Sequence, residues 1–216
     1  MTMYSESQRK LQDEFDSRNL AEALEHGIVN QNLDERQMAF VASRDFFFLA
    51  TVTSSGEPTV SYKGGGVGLV TVLDPCTLAF PAYDGNGMML SWGNIEDTAK
   101  IAMLFIDFET PNRLRVQATA TLHREDELLV KYPGAFVIVR ASIDSCFVNC
   151  ARYIHRHERV ADSKYVPADD GSQPFATWKR IDVMQPVLSP EDQAAAQETG
   201  VISEAEYGAK LLAGES

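Results

Sequence analysis

The stretch from Thr59 to Asn94, TVSYKGGGVGLVTVLDPCTLAFPAYDGNGMMLSWGN, restricts the possible folds of this chain more than any other part of it. Thr59 to Lys63 alternates, with Thr59, Ser61 and Lys63 on one face of a strand and Val60 with Tyr62 on the other. Three glycines follow, and then Leu69 to Leu73, a β-rich run. Asp74-Pro75 turns the chain into a further strand, Thr77 to Phe80, ending at Pro81. Tyr83 to Gly87 is a glycine-rich turn before a short helix, predicted over Met88 to Trp92 and closed by Gly93-Asn94. A strand that feeds a glycine turn at a helix start leaves backbone N–H groups unpaired and outward, which suits an anion such as phosphate. Gly64 to Gly68 is not a dinucleotide fingerprint, because that motif lies between a strand and a helix, whereas a second strand follows here. These glycines fit a bulge, a sharp bend or the close approach of a flat ligand.

The flanking chain reads as more of the same β architecture behind a helical arm. Ser5 to His26 has helical spacing through Leu11, Phe15, Leu20 and Leu24, with Ser5 or Ser7 as cap and Gly27 as stop. A second helix is predicted from Asn32 or Asp34. Strands are predicted at Phe46 to Val52, Ile101 to Ile106, Arg113 to Ala120 and Phe136 to Ile143, with Cys146 to Cys150 continuing the β character. Arg124 to Lys131 is a small helix, Asp169 to Gly171 a loop, and Thr177 to Ile181 a docked segment. Gln193 to Leu212 is a helical or loose tail. Many short strands with few long helices predict a mainly β (α+β) fold, an antiparallel barrel and not a doubly wound sheet. The division expected is a helical arm at 1–34, a barrel at 35–155 and an extension at 156–216 that packs on the barrel.

Composition excludes several function classes. A formal charge of −12 over 216 residues argues against nucleic-acid binding, which rests on basic surface. There is no apolar run long enough for a membrane span and no apolar core for a signal peptide at the start. Three cysteines without a CxxC pair fit reduced thiols, so a soluble, cytoplasmic protein is expected. Cys150, His155 and His157 lack zinc-site spacing, and no metal is expected.

The order of strands, the strand ending in Lys63, the Tyr83 to Asn86 turn and the pair of strands Ile101 to Ile106 and Arg113 to Ala118 together resemble the pyridoxamine 5′-phosphate oxidase-like flavin-binding split barrels, over roughly residues 35 to 155. The resemblance implies a six-stranded antiparallel split β-barrel with N-terminal and short peripheral helices. It also implies FMN as cofactor and a homodimer with the cofactor at the subunit interface. Thr59, Ser61 and Lys63 match the strand along the flavin ring and ribityl chain, and Phe80 with Pro81 the end of the strand under the ring. Gly85, Asn86 and Gly87 match the phosphate turn, and Arg113 with Arg115 the strand reaching in beside it. Arg152 is a second anion-binding candidate. Lys63 is expected near the N1/C2 edge of the ring, where its charge would stabilise a reduced, anionic flavin.

The true oxidases carry an Arg-Lys pair on the phosphate turn, where this chain has Asn86 and Gly87, and the C-terminal Arg-x-His signature has no match. Asn149 to His155 is similar to the Asn-Cys-x-basic ending of other flavin-nucleotide-binding relatives. The expectation is therefore an FMN-dependent oxidoreductase acting on a small molecule, in a branch apart from the oxidase itself. The alternatives are a flavin carrier or sensor without turnover, a deazaflavin-binding or haem-binding split barrel, for which His155 is the axial candidate, and an unliganded structural dimer.

Overall fold

The computed structural model describes residues 2–215 and separates into two compact units, Met1–Ala161 and Asp162–Ser216. The N-terminal helices belong to the same unit as the sheet. In the first unit α1 (Glu6–Glu14), α2 (Arg18–Ile28) and α3 (Glu35–Ala42) precede β1 (Phe46–Val52), β2 (Pro58–Gly64), β3 (Thr71–Asp74) and β4 (Thr77–Ala82). Next come α4 (Leu90–Thr98), β5 (Lys100–Asp107), β6 (Asn112–His123) and β7 (Val137–Val148).

The strands form one antiparallel sheet of seven, ordered β2-β1-β5-β6-β7-β4-β3, where six were expected. β1 and β4 are four strand steps apart in that order, about 19 Å if the sheet were flat. Yet Phe47 on β1 and Phe80 on β4 meet edge-to-face with ring centroids 5.1 Å apart. The sheet is therefore curled on itself into a split barrel, and Phe47, Phe80, Phe105, Leu49 and Met103 fill the interior with no more than 1% of their surface exposed. Strict alternation on β1, with Phe47, Leu49 and Thr51 buried between half-exposed neighbours, supplies one wall of that core. Pro81 is tolerated inside β4 because β3 pairs with that strand only as far as Ala79, so no ladder bond is lost to the missing N–H.

Four boundaries differ from the sequence reading. The arm is two helices instead of one run to His26: Asp16, at φ 49, takes the left-handed conformation that its short side chain tolerates and ends α1, while Gly27 lies inside α2. Ser5 caps α1 in a capping box with Gln8, and Asp34 caps α3 with Gln37. α4 starts two residues later than predicted and continues through Gly93 and Asn94 to Thr98, because Asn94 turns its amide inward and Ala99, at φ 57, closes the helix. Residues 137–148 form one strand instead of two pieces. Asp144 bulges out between the Gln117–Ser145 and Ala118–Ile143 pairs, which keeps both halves in register. Between Arg124 and Lys131 the helix is a short 3₁₀ turn, Glu127–Val130.

The second unit has 3₁₀ turns at Thr177–Arg180 and Asp182–Val187, followed by α5 (Pro190–Thr199) and α6 (Glu204–Ala213). Ser189 caps α5, Ser203 caps α6 in a capping box, and Ile181 bridges Ile202. No helix among the described residues is long and apolar enough to cross a membrane.

Candidate functional site

A cavity of about 490 Å³ opens beside the β2 edge of the sheet, within the size range of small-molecule sites. β2 contributes Ser61 and Lys63, β4 contributes Pro81, the following turn contributes Tyr83 to Gly87, and the first turn of α4 contributes Leu90 to Trp92.

A ladder of hydroxyl and amide groups ties β1 and β2 to α4 behind the cavity wall. Thr51 and Thr59 share a 2.8 Å hydrogen bond, and the Asn94 amide donates to both, at 2.9 and 3.4 Å. One strand pair further on, Ser61 meets Ser91 at 3.3 Å. Lys63 Nζ in turn donates to Ser91 Oγ at 3.3 Å and lies 4.4 Å above the centroid of the Trp92 ring. Among the described residues no carboxylate forms an ion pair with Lys63. Burial pushes its ammonium below the ordinary lysine range. Tyr83, half-buried, is pushed up chiefly by burial and so holds its phenol proton.

The N-terminus of α4 faces the same space. Its N-cap is Met89, left-handed at φ 54, with no side chain capping the first turn and no acidic residue within it. The Ser and Asp residues that cap α1, α3, α5 and α6 have no counterpart here. The first intrahelical bond is Gly93 N to Met89 O at 2.9 Å, which leaves the preceding amides for a ligand or solvent. Asn86 folds its side chain over the turn and accepts from Met88 N at 3.1 Å, and Gly87 takes φ 73, open to glycine without strain. An ammonium without a counter-ion, an uncapped helix start and a glycine-rich turn thus converge on one cavity, an arrangement that attracts an anion. The residues present fit a phosphorylated, flat cofactor such as FMN.

Of the residues singled out in the sequence, Ser61, Lys63, Pro81, Gly85, Asn86 and Gly87 line the cavity. Thr59 lies behind the wall in the polar ladder, and Phe80 points into the barrel core. Arg113, Arg115 and Arg152 are not among the lining residues of this chain's cavity. Arg115 stacks on Phe147 at 5.5 Å, and the buried Nε of Arg113 has no hydrogen-bond partner. Arg152 N donates to Cys150 Sγ at 3.4 Å, and that bond with the Arg152 guanidinium lowers the thiol below its ordinary range. The ring of His157 packs 4.9 Å from Phe108, and His155 is exposed; neither lines the cavity. Among the described residues no three His, Cys, Asp or Glu side chains gather as a metal site. Gly65 has an internal explanation: a Cβ there would lie 2.7 Å from the Leu69 side chain.

Sequence reasoning missed Ser91, Trp92 and Asn94 as parts of the site. Ser91 and Trp92 lie in the predicted short helix and Asn94 at its predicted end, but their spacing carries no sign of which strand they face.

Comparison with known proteins places the chain in a family. The family described as pyridoxamine 5′-phosphate oxidase matches residues 33–141, just over half of the chain. No curated protein sequence matches it. Among solved structures, a Lactobacillus delbrueckii protein provisionally assigned as a pyridoxamine 5′-phosphate oxidase is 29% identical, covering 55% of this chain and 95% of its own, with a TM-score of 0.46. An FMN-binding protein from Syntrophomonas wolfei is 16% identical over 67% of this chain and 96% of its own, with a TM-score of 0.41. The haem storage protein HutZ from Vibrio cholerae is 20% identical over 54% and 94%, also at 0.41. The matched segment runs from the residue before the α3 cap through β7 as far as Ala141 and contains every residue of the cavity wall, so the chain belongs to the pyridoxamine 5′-phosphate oxidase family.

Proposed function

We propose that this chain is an FMN-binding flavoprotein that acts as an oxidoreductase on a small molecule. The observation that carries the reading is Lys63: a half-buried ammonium without a counter-ion, in a cavity that the uncapped start of α4 also faces. When bound, the flavin supplies the redox chemistry, accepting and releasing electrons at its ring system. The chain's part is to bind and orient it. The amides at the start of α4 and around Gly87 are placed to hold a terminal phosphate. Lys63 is placed to favour negative charge on an electron-rich ring edge, and Pro81 with Tyr83 forms an apolar wall that limits water.

The working unit in this reading is a homodimer. Val60, Tyr62, Met89 and Leu90 line the cavity, yet 72, 61, 48 and 52% of their surfaces remain exposed, an apolar rim that a second copy would cover. Arg113, Arg115 and Arg152 do not line this chain's own cavity, and in such a dimer we assign them to the partner's.

Mass spectrometry of the supernatant from the denatured, purified protein tests the cofactor. FMN released in proportion to protein, with flavin absorption before denaturation, is the expected result. A deazaflavin, a haem or no cofactor, together with no uptake of added FMN, rejects it. Anaerobic bleaching by a reduced nicotinamide would support turnover, and an oxidised flavin stable to that donor and to candidate substrates would support a carrier.

A further inference from the structure

The neighbours of Lys63 are unusual for a charged group in a cavity. From β2 it is flanked by Ser61, and from α4 by Ser91 and Trp92. Tyr83 and Asp84 line the same cavity from the turn after β4; Tyr83 is held neutral by burial, and burial is what acts on the Lys63 ammonium. The ammonium therefore rests on a π face and a hydroxyl. Trp92 is packed against the barrel core, so its ring is the fixed partner and the lysine stem the flexible one. A π face attracts a cation without neutralising it, which leaves the positive charge available to whatever enters the cavity.

We propose that Trp92 is a positioning residue that holds the Lys63 ammonium charged and turned into the cavity, and that this pair makes the cavity select ligands with a negatively charged or electron-rich edge. The proposal rests on the flavin reading for its ligand, though not for the coupling between the two side chains. Burial drives Lys63 towards its neutral form; the ring opposes that drive, and an anionic ligand opposes it further. Ligand binding at high pH would then be accompanied by proton uptake.

The test follows the ε-carbon shift of Lys63 in the ligand-free chain as pH is raised, and FMN affinity by fluorescence quenching over the same range. Wild-type affinity is expected to be level near neutrality and to fall as Lys63 loses its proton. Trp92→Leu should lower the Lys63 midpoint by roughly 0.4 to 1.5 pH units, the strength of a cation–π contact expressed as a pKa, and the break in affinity should move with it. Trp92→Phe, which keeps a ring and disturbs packing less, should fall between. Lys63→Arg should retain binding and remove the break, and Lys63→Met should bind weakly at every pH. A midpoint that stays put or rises in Trp92→Leu, as admission of water alone would cause, overturns the inference, as does wild-type affinity that stays level through the Lys63 titration. A chain that binds no FMN while the midpoint still shifts with Trp92 would reject the flavin reading and leave the lysine–tryptophan coupling standing.

Discussion

Asn94 is buried in the middle of α4, and its amide bridges Thr51 and Thr59 on two neighbouring strands. Replacing it by alanine leaves the 1%-exposed Thr51 without that donor and should cost about 1–3 kcal/mol, read as a lower urea midpoint. Asp126 is a second residue whose role depends on a distant strand. Arg140 of β7 donates to it at 2.7 and 3.2 Å, and Leu128 N at 2.9 Å. The Arg140 bond, with these other contacts, holds the carboxyl below its ordinary 3.8. A carboxyl depressed in the folded state stabilises the fold above 3.8 and loses that contribution as pH falls through its lower, folded value. Urea midpoints of wild type and Asp126→Asn should therefore differ most near neutrality and converge in acid; a constant gap down to pH 2 would exclude this linkage. At this scale Lys63 was legible, since alternation put it on the polar face of its strand. Ser91 and Asn94 were not, because nothing in a short helical sequence says which strand will lie against it.

Among the elements, α4 shows how a helix can be placed by its ends. It begins at a left-handed methionine and stops at a left-handed alanine, Ala99, both conformations that cost an L-residue about 1–2 kcal/mol. Ala99→Gly should relieve that strain and raise stability by up to about 1 kcal/mol, with the cavity unaltered; a lower melting temperature would contradict the assignment. The helix was foreseen but its length was not. Gly93 and Asn94 look like a stop in sequence, and they are carried inside the helix because Asn94 spends its side chain on Thr51 instead of a cap. Similarly, Asp144 made one strand look like two, since a bulge shifts the alternation by one residue. The strands of the β1–β2 hairpin were readable to within a residue, since each alternates or runs apolar between strong turn signals.

For the molecule as a whole, the cavity wall lies between residues 60 and 92, inside the first unit. A fragment ending at Ala161 should therefore keep the proposed FMN binding with affinity within a few-fold of the full chain, measured by fluorescence titration; its complete loss in the fragment alone would show that the second unit is needed. For the proposed homodimer, light scattering should return twice the chain mass, and charged substitutions at the exposed Val60 and Tyr62 should shift it towards the monomer. The sequence by itself determined the elements, the mainly β class and the glycine-rich turn at a helix start, because these follow from periodicities and turn chemistry that act within a few residues. Only the tertiary structure decided that the sheet curls far enough to bring Phe47 against Phe80, that Ser91 of α4 meets Ser61 of β2, and that Lys63 rests on Trp92 without a carboxylate. Those contacts join residues tens of positions apart, and they are selected by how the whole sheet closes around its apolar interior, a quantity that no local stretch of chain encodes.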